Sequence, residues 1–336
     1  SPDEPTALFS GDFLFVGSVG RPDLLGEADK LPLARAMYKT VSTKLKGLPD
    51  SLEVYPAHGA GSLCGAGMGK AASTTLGDER KSNIYLDGSL NEQEFTDKLL
   101  AASPEMPDYY LRMKKINSEG PANFEKIVKI PALTAEEFAQ HCDDYILDVR
   151  HPLAFGGAHL DGAINIGMPD QLSFWAGWVV PYDRPVFLVT DDEAKVKDYV
   201  KALGRVGIDT VAGYLSPDFN AWVSSGQDFI DIPQVSVHFV NDLMSAGEKC
   251  TVLDVRSDSE WKEGHIKGAK HIYLGNLPKR IKELKDKDET VFCICGGGYR
   301  SSVAASILQK EGFEMVHNVF GGMSAWKAAG YSVKKV

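Results

Sequence analysis

Short apolar runs closed by glycine, proline or aspartate alternate with longer stretches in which apolar residues recur at helical spacing. Residues 6–12 (TALFSGD) predict a buried strand that ends at the carboxylate of Asp12. Residues 13–17 extend it toward Gly20-Arg21-Pro22-Asp23-Leu24. A helical stretch over residues 33–46 follows. The run Glu53-Val54-Tyr55-Pro56 then predicts a strand that delivers His58 into a loop holding Gly59, Gly61, Cys64 and Gly65. Asp12 and His58 thus both stand where strands run into loops, a usual position for site residues.

From residue 125 onward the pattern repeats at an offset of about 105 residues. Ile146-Leu147-Asp148-Val149-Arg150 returns as Val252-Leu253-Asp254-Val255-Arg256, Ala158-His159 as Gly264-His265, and Asn220-Ala221-Trp222 as Ser324-Ala325-Trp326. Both copies alternate short strands with helices, which predicts α/β modules, each a doubly wound parallel sheet covered on both faces. The expected domains are residues 1–124, 125–229 and 230–336, with a short hinge at 230–233.

The chemistry concentrates at one loop of the second copy. Val291-Phe292-Cys293-Ile294 predicts a buried strand, and residues 301–310 predict a helix with Ser301 at its N-cap. Between them, Gly296, Gly297 and Gly298 let the backbone curl into a nest of N–H groups at a helix start, which favours an anion. That setting, with Tyr299 and Arg300 beside it, favours the thiolate of Cys295 over its thiol and makes Cys295 the candidate nucleophile. In the first copy Thr190 aligns with Cys295, Asp191, Asp192 and Glu193 with the glycines, and Lys195 with Arg300. Carboxylates there would repel an anionic donor, so this copy is expected to be catalytically silent and to act as a spacer. Cys142 and Cys250, without basic or glycine partners, read as structural. Asp254, Arg256 and His265 read as bracing rather than substrate-binding.

Composition narrows the partners. The 336 residues carry a formal net charge of −10, which argues against nucleic-acid binding and against an anionic membrane surface. No apolar run reaches the length of a membrane span, and no basic segment followed by an apolar one opens the chain. Five cysteines without a Cys-x-x-Cys pair fit a reducing, cytoplasmic setting.

The loop Cys295-Gly296-Gly297-Gly298-Tyr299-Arg300-Ser301 resembles the active-site loop of the rhodanese family, as does the order of Asp254-Val255-Arg256, Trp261, Gly264-His265-Ile266 and Gly321-Gly322-Met323-Ser324-Ala325-Trp326. The resemblance implies sulfur transfer through a persulfide on Cys295. It names Arg300 as the second catalytic residue and Gly296, Gly297, Gly298, Tyr299 and Ser301 as substrate-binding. Thiosulfate, low-molecular-weight thiol persulfides and sulfite are the implied partners, and this domain needs no cofactor. Two alternatives stay open. One is a sulfur carrier or sensor that does not turn over. The other is a cysteine phosphatase, disfavoured because its loop has one more residue between cysteine and arginine.

The N-terminal third, through Ser10-Gly11-Asp12, Gly20-Arg21-Pro22-Asp23-Leu24 and Tyr55-Pro56-Ala57-His58-Gly59, resembles the second half of a metallo-β-lactamase αββα fold, in the branch of the persulfide dioxygenases. The family pattern continues through residues 95–120. In that branch the residue matching Asp12 ligates a single non-haem Fe(II), and His58 matches a second metal position. The companion His-x-His-x-Asp-His motif is missing from this sequence, so the chain is expected to begin inside a domain and to hold an incomplete ligand set. The whole order resembles multidomain persulfide dioxygenase–rhodanese proteins of sulfide detoxification, which implies oxidation of thiol persulfides to sulfite and thiosulfate and allows a homo-oligomer.

Overall fold

A computed structural model describes residues 5–60, 67–103, 106–107 and 109–335, so Gly61, Cys64 and Gly65 lie outside the described residues. The chain divides into two compact units, Ser1–Met106 and Pro107–Val336.

In the first unit, β1 (Ala7–Gly11), β2 (Leu14–Phe15), β3 (Ser18–Val19), β4 (Glu53–Pro56) and β5 (Thr74–Thr75) form a sheet of order β1-β4-β5 and a β2-β3 ribbon. β1 runs parallel to β4 with Leu8 opposite Val54. The buried strand expected at residues 6–12 is instead an edge strand. Phe9 is 82% exposed, because β1 pairs on one side only among the described strands and turns alternate side chains outward. The helix expected over 33–46 starts earlier, as Glu27–Lys39, and passes into a wider π-type turn at Thr40–Leu45. Leu14, Val54, Leu76 and Phe95 anchor this unit's core.

The second unit holds two five-stranded, wholly parallel sheets. The first comprises β6 (Ala132–Leu133), β7 (Tyr145–Asp148), β8 (Ile164–Asn165), β9 (Val186–Val189) and β10 (Val211–Leu215), in the order β6-β10-β9-β7-β8. The second comprises β11 (Gln234–Val235), β12 (Thr251–Asp254), β13 (Lys270–His271), β14 (Val291–Ile294) and β15 (Val316–Val319), in the same order, β11-β15-β14-β12-β13. Central β7, β9 and β14 are buried at every position, as parallel strands covered on both faces must be.

The repeat extends to individual hydrogen bonds. Arg150 clamps Asp148 and reaches Ala158 O, while Arg256 clamps Asp254 and reaches Gly264 O. His159 Nδ1 faces Phe155 O with its ring stacked on that residue, and His265 does the same with Trp261. Trp222 and Trp326 each donate their indole N–H to a carbonyl six residues on.

The two modules share one apolar core, in which Ile164 and Leu147 join Val303, Ala304 and Leu308. Within it, Ser302 Oγ donates to Asn165 Oδ1 at 2.6 Å and Asn165 N donates to Ser306 Oγ at 3.1 Å. The first module is therefore more than a spacer, because its edge strand β8 packs on the helix Tyr299–Lys310. Nor is segment 230–233 a free hinge. Ile230 pairs with His159, and buried Ile232 donates its N–H to Gly156 O. Helix Tyr109–Glu119, which the sequence motifs group with the first domain, packs within this second unit, with Tyr109 against Gly177 and Ile116 against Gly207. Among the described residues no helix is long and apolar enough to cross a membrane.

Candidate functional site

Cys295 follows β14 directly and is 1% exposed. Its sulfur receives Gly298 N–H at 3.1 Å and Ser301 Oγ at 3.4 Å. The helix begins at Tyr299, one turn earlier than expected, with Gly298 rather than Ser301 at its N-cap. Gly298 sits at φ +104, where a Cβ would also lie 2.8 Å from the Phe320 ring, so glycine is required twice over. Ser301 is thereby placed in the first turn, free to address the sulfur.

The loop's carbonyls are tied down from behind. Met323 N donates to Cys295 O at 2.7 Å, Ser324 N to Gly296 O at 3.0 Å, and Asn318 Nδ2 to Gly298 O at 3.0 Å. Gly321 N donates likewise to Gly297 O at 3.2 Å, and it is this peptide whose other end, Gly298 N–H, reaches the sulfur. Gly322 permits this closeness, since a Cβ there would stand 2.3 Å from Cys295 O.

Arg300 has a partner that the sequence reading did not foresee. Its two terminal nitrogens form a fork with Glu260 at 2.7 and 2.8 Å, which uses two of its five N–H donors while the side chain still lines the cavity over Cys295. Burial alone would raise the Glu260 pKa, but Arg300 and the Ser257 N–H and hydroxyl outweigh it and hold the carboxyl at about 2. The cap motif Ser257-x-x-Glu260 is legible in the sequence, and the structure holds it as a capping box. Its pairing with an arginine 40 residues away carries no local signal.

A cavity of about 410 Å³ opens over Cys295, Tyr299 and Arg300, and its opposite wall is the segment 167–171 of the first module. From the same module, His151 Nε2 lies 2.9 Å from the Tyr299 hydroxyl. The sequence pattern gives neither contribution, because nothing in the spacing sets one copy of a repeat against the other.

Asp254 and Arg256 pair with each other, buried and away from the cavity lining, and His265 is buried against Trp261, as bracing requires. At the matching loop of the first module, Asp192 N donates to Thr190 Oγ1 at 3.1 Å, and the Asp192 side chain caps a short turn, Glu193–Lys195. That turn replaces the nest. Burial raises the Asp191 pKa, against the opposing charge of Arg150 and with help from Asp148 and Asp218. Cys142 is exposed and Cys250 half-buried, and burial, then adjacent carboxylates, push both thiols up.

In the first unit, β1 and β4 bring Asp12 and His58 together, with Asp12 Oδ1 3.2 Å from His58 Nε2 and the imidazole stacked on Phe15. Both ring nitrogens are covered and lack an aligned hydrogen bond, so the Asp12 contact is one of distance only. Among the described residues no third His, Cys, Asp or Glu joins this pair. Two donors do not make the three-ligand face of a mononuclear iron site, and no iron chemistry follows from the described residues alone.

The rhodanese-like domain family matches residues 134–225 and 236–329. The "Putative sulfur carrier protein YrkF" of Bacillus subtilis (strain 168) is 38% identical over 102 residues, covering 30% of this chain and 55% of that protein. Thiosulfate sulfurtransferase GlpE of Pseudoalteromonas translucida (strain TAC 125) is 36% identical over 87 residues, 26% of this chain and 81% of that one. Among solved structures, a metallo-beta-lactamase from Staphylococcus aureus subsp. aureus COL aligns with a TM-score of 0.50 and 32% identity, over 63% of this chain and 58% of that one. The chain thus spans little more than half of YrkF and of the staphylococcal protein.

Proposed function

The chain belongs to the rhodanese-like domain family, and from that premise we propose that its sulfur-transfer chemistry runs through a persulfide on Cys295. The observation that carries this reading is the convergence of Gly298 N–H and Ser301 Oγ on the Cys295 sulfur at the start of a helix. Cys295 thiolate attacks the outer sulfur of thiosulfate or of a thiol persulfide. The donor's sulfur–sulfur bond breaks with its electron pair leaving on sulfite or on the donor thiolate, and Cys295 holds the sulfur as an anionic persulfide. The same two donors stabilise Cys295 as the attacking thiolate and again as the leaving thiolate when the outer sulfur is passed on. An acceptor such as sulfite, cyanide or a thiolate then takes the outer sulfur and returns the Cys295 thiolate. Arg300 serves as the second catalytic residue, held in place by Glu260 and keeping further N–H groups for the anion.

The likeness to a metallo-beta-lactamase supports a wider assignment, in which the assembled protein oxidises thiol persulfides in sulfide detoxification in the cytoplasm. Asp12 and His58 would be two of the groups at an Fe(II) site there. No step is derived through that metal, because the described residues do not complete its ligand set.

The test of the core reading is loading. Incubation with thiosulfate should make the protein one sulfur atom heavier, with the mass mapping to Cys295 and vanishing on addition of cyanide. Cys295→Ser should take up no sulfur, and an unchanged rate of thiocyanate formation in that variant would sink the assignment. Steady-state turnover beyond one sulfur per chain separates an enzyme from a carrier.

A further inference from the structure

We propose that the first unit carries a ligand site of its own, for a straight-chain carboxylate of medium length, in two adjoining cavities beside the helix Glu27–Lys39. Neither Asp12 nor His58 lines either cavity, and the site is independent of the persulfide chemistry at Cys295.

The first cavity, of about 370 Å³, holds the charge. Arg35 and Lys39 line it together with Ser42. Residues four apart share one face of a helix, so two cations stand side by side at this end. Glu92 approaches Arg35 Nε at 3.7 Å, but both side chains are 56% exposed, and water screens that pair. No ion pair engages Lys39 among the described residues. In a chain of net charge −10, an unpaired lysine beside an arginine makes this one place where an anion is attracted.

The second cavity, of about 350 Å³, is apolar at its floor. Leu45, Leu86 and Phe95 are buried there, and the rings of Tyr38 and Tyr85 stand edge-on to Phe95, with centroids 5.5 and 5.3 Å away. Arg80 also lines it, but gives its terminal N–H groups to Asp50 and to the carbonyls of Leu45 and Leu48. Lys46 and Asp87 are exposed at the rim and opposite in charge, so this end selects for no net charge.

Tyr38 and Ser42 line both cavities, so the cationic end and the apolar end meet at these two residues. The π-type turn Thr40–Leu45 supplies Val41, Ser42 and Leu45 to the walls. Such turns are rare and gather at functional sites. A ligand that fills both spaces needs an anionic head and an apolar tail flexible enough to pass Tyr38. An alkyl carboxylate has both, and the apolar volume lies at the lower end of the range for small-molecule sites, about 300–1,000 Å³.

Decanoate, kept below its micelle concentration and titrated into the full chain by calorimetry, is expected to bind about tenfold more tightly than decylammonium. Octanoate and hexanoate should lose about fourfold in affinity for each CH₂ removed. Arg35→Glu combined with Lys39→Glu, both at exposed positions, should reverse the preference in favour of decylammonium. Ile84→Asp sets a charge into the apolar end and should flatten the dependence on chain length. Thermal melts of the variants check that they remain folded. Absence of decanoate binding to wild type, equal affinity for the two head groups, or a preference that survives the charge reversal overturns the proposal.

Discussion

Arg300 gives both terminal nitrogens to Glu260, at 2.7 and 2.8 Å, across the start of the loop that carries the nucleophile. The Glu260 carboxyl, ordinarily near 4.5, is held at about 2. A carboxylate with a depressed folded-state pKa adds stability that is complete above the unfolded value and disappears as pH falls through the folded one. Wild type should therefore exceed Glu260→Gln in unfolding free energy by about 1–2 kcal/mol at neutral pH, after allowance for the partial exposure of the pair. The gap should close between about pH 4.5 and pH 2. Chemical denaturation of both proteins across that range checks the sign, and a gap that widens on acidification refutes it.

Gly322 at φ +55, with its missing Cβ 2.3 Å from Cys295 O, predicts that Gly322→Ala disrupts the catalytic loop. Displacing the loop backbone should cost about 1–3 kcal/mol and reduce persulfide formation far more than the loss of stability explains. Sulfur uptake measured well below the melting temperature tests this, and normal uptake would mean that the tie between Met323 N and Cys295 O is dispensable.

Asn165 and Ser302 form a fully buried hydrogen bond between the modules, on the helix that the nucleophile's loop starts. Ser302→Ala leaves the Asn165 carbonyl oxygen without this donor and should destabilise the second unit by about 1–3 kcal/mol. A double-mutant cycle with Asn165→Ala should give a coupling energy of the same sign, read from unfolding curves. Strict additivity would show that the contact carries no energy.

Thr190→Cys, in a chain whose Cys295 is serine, should gain no sulfurtransferase activity. The new thiol would inherit the Asp192 N–H alone, since the Ala194 N–H stays on the Asp192 carboxylate, and it would stand beside the carboxylates of Asp191 and Glu193. Measurable thiocyanate formation would show that the acidic loop can still shelter a persulfide.

Both repeated modules were legible because parallel strands buried on two faces leave unbroken apolar runs, and because the Asp148–Arg150 and Asp254–Arg256 clamps recur in identical local sequence. Cys295 and its glycines were legible for the same reason, since the nest is built from neighbours in the chain. Three features were not. Arg300 turns to Glu260, which depends on how two helices meet. Phe9 faces outward, because edge and centre strands share one local pattern. His151 meets the Tyr299 hydroxyl and residues 167–171 line the cavity, both from the first module, and a repeat read copy by copy hides what one copy does for the other.

The core that runs unbroken through both modules has a consequence for how such a duplication ages. Once Val303 and Leu308 of one copy are packed with Ile164 of the other, neither copy can be discarded without leaving its twin an apolar scar. The loop at Thr190 takes no part in that packing, and so can carry carboxylates where its twin carries glycines. The last module produced alone would carry the nucleophile but bare Val303, Ala304 and Leu308 on the face that now packs on its twin.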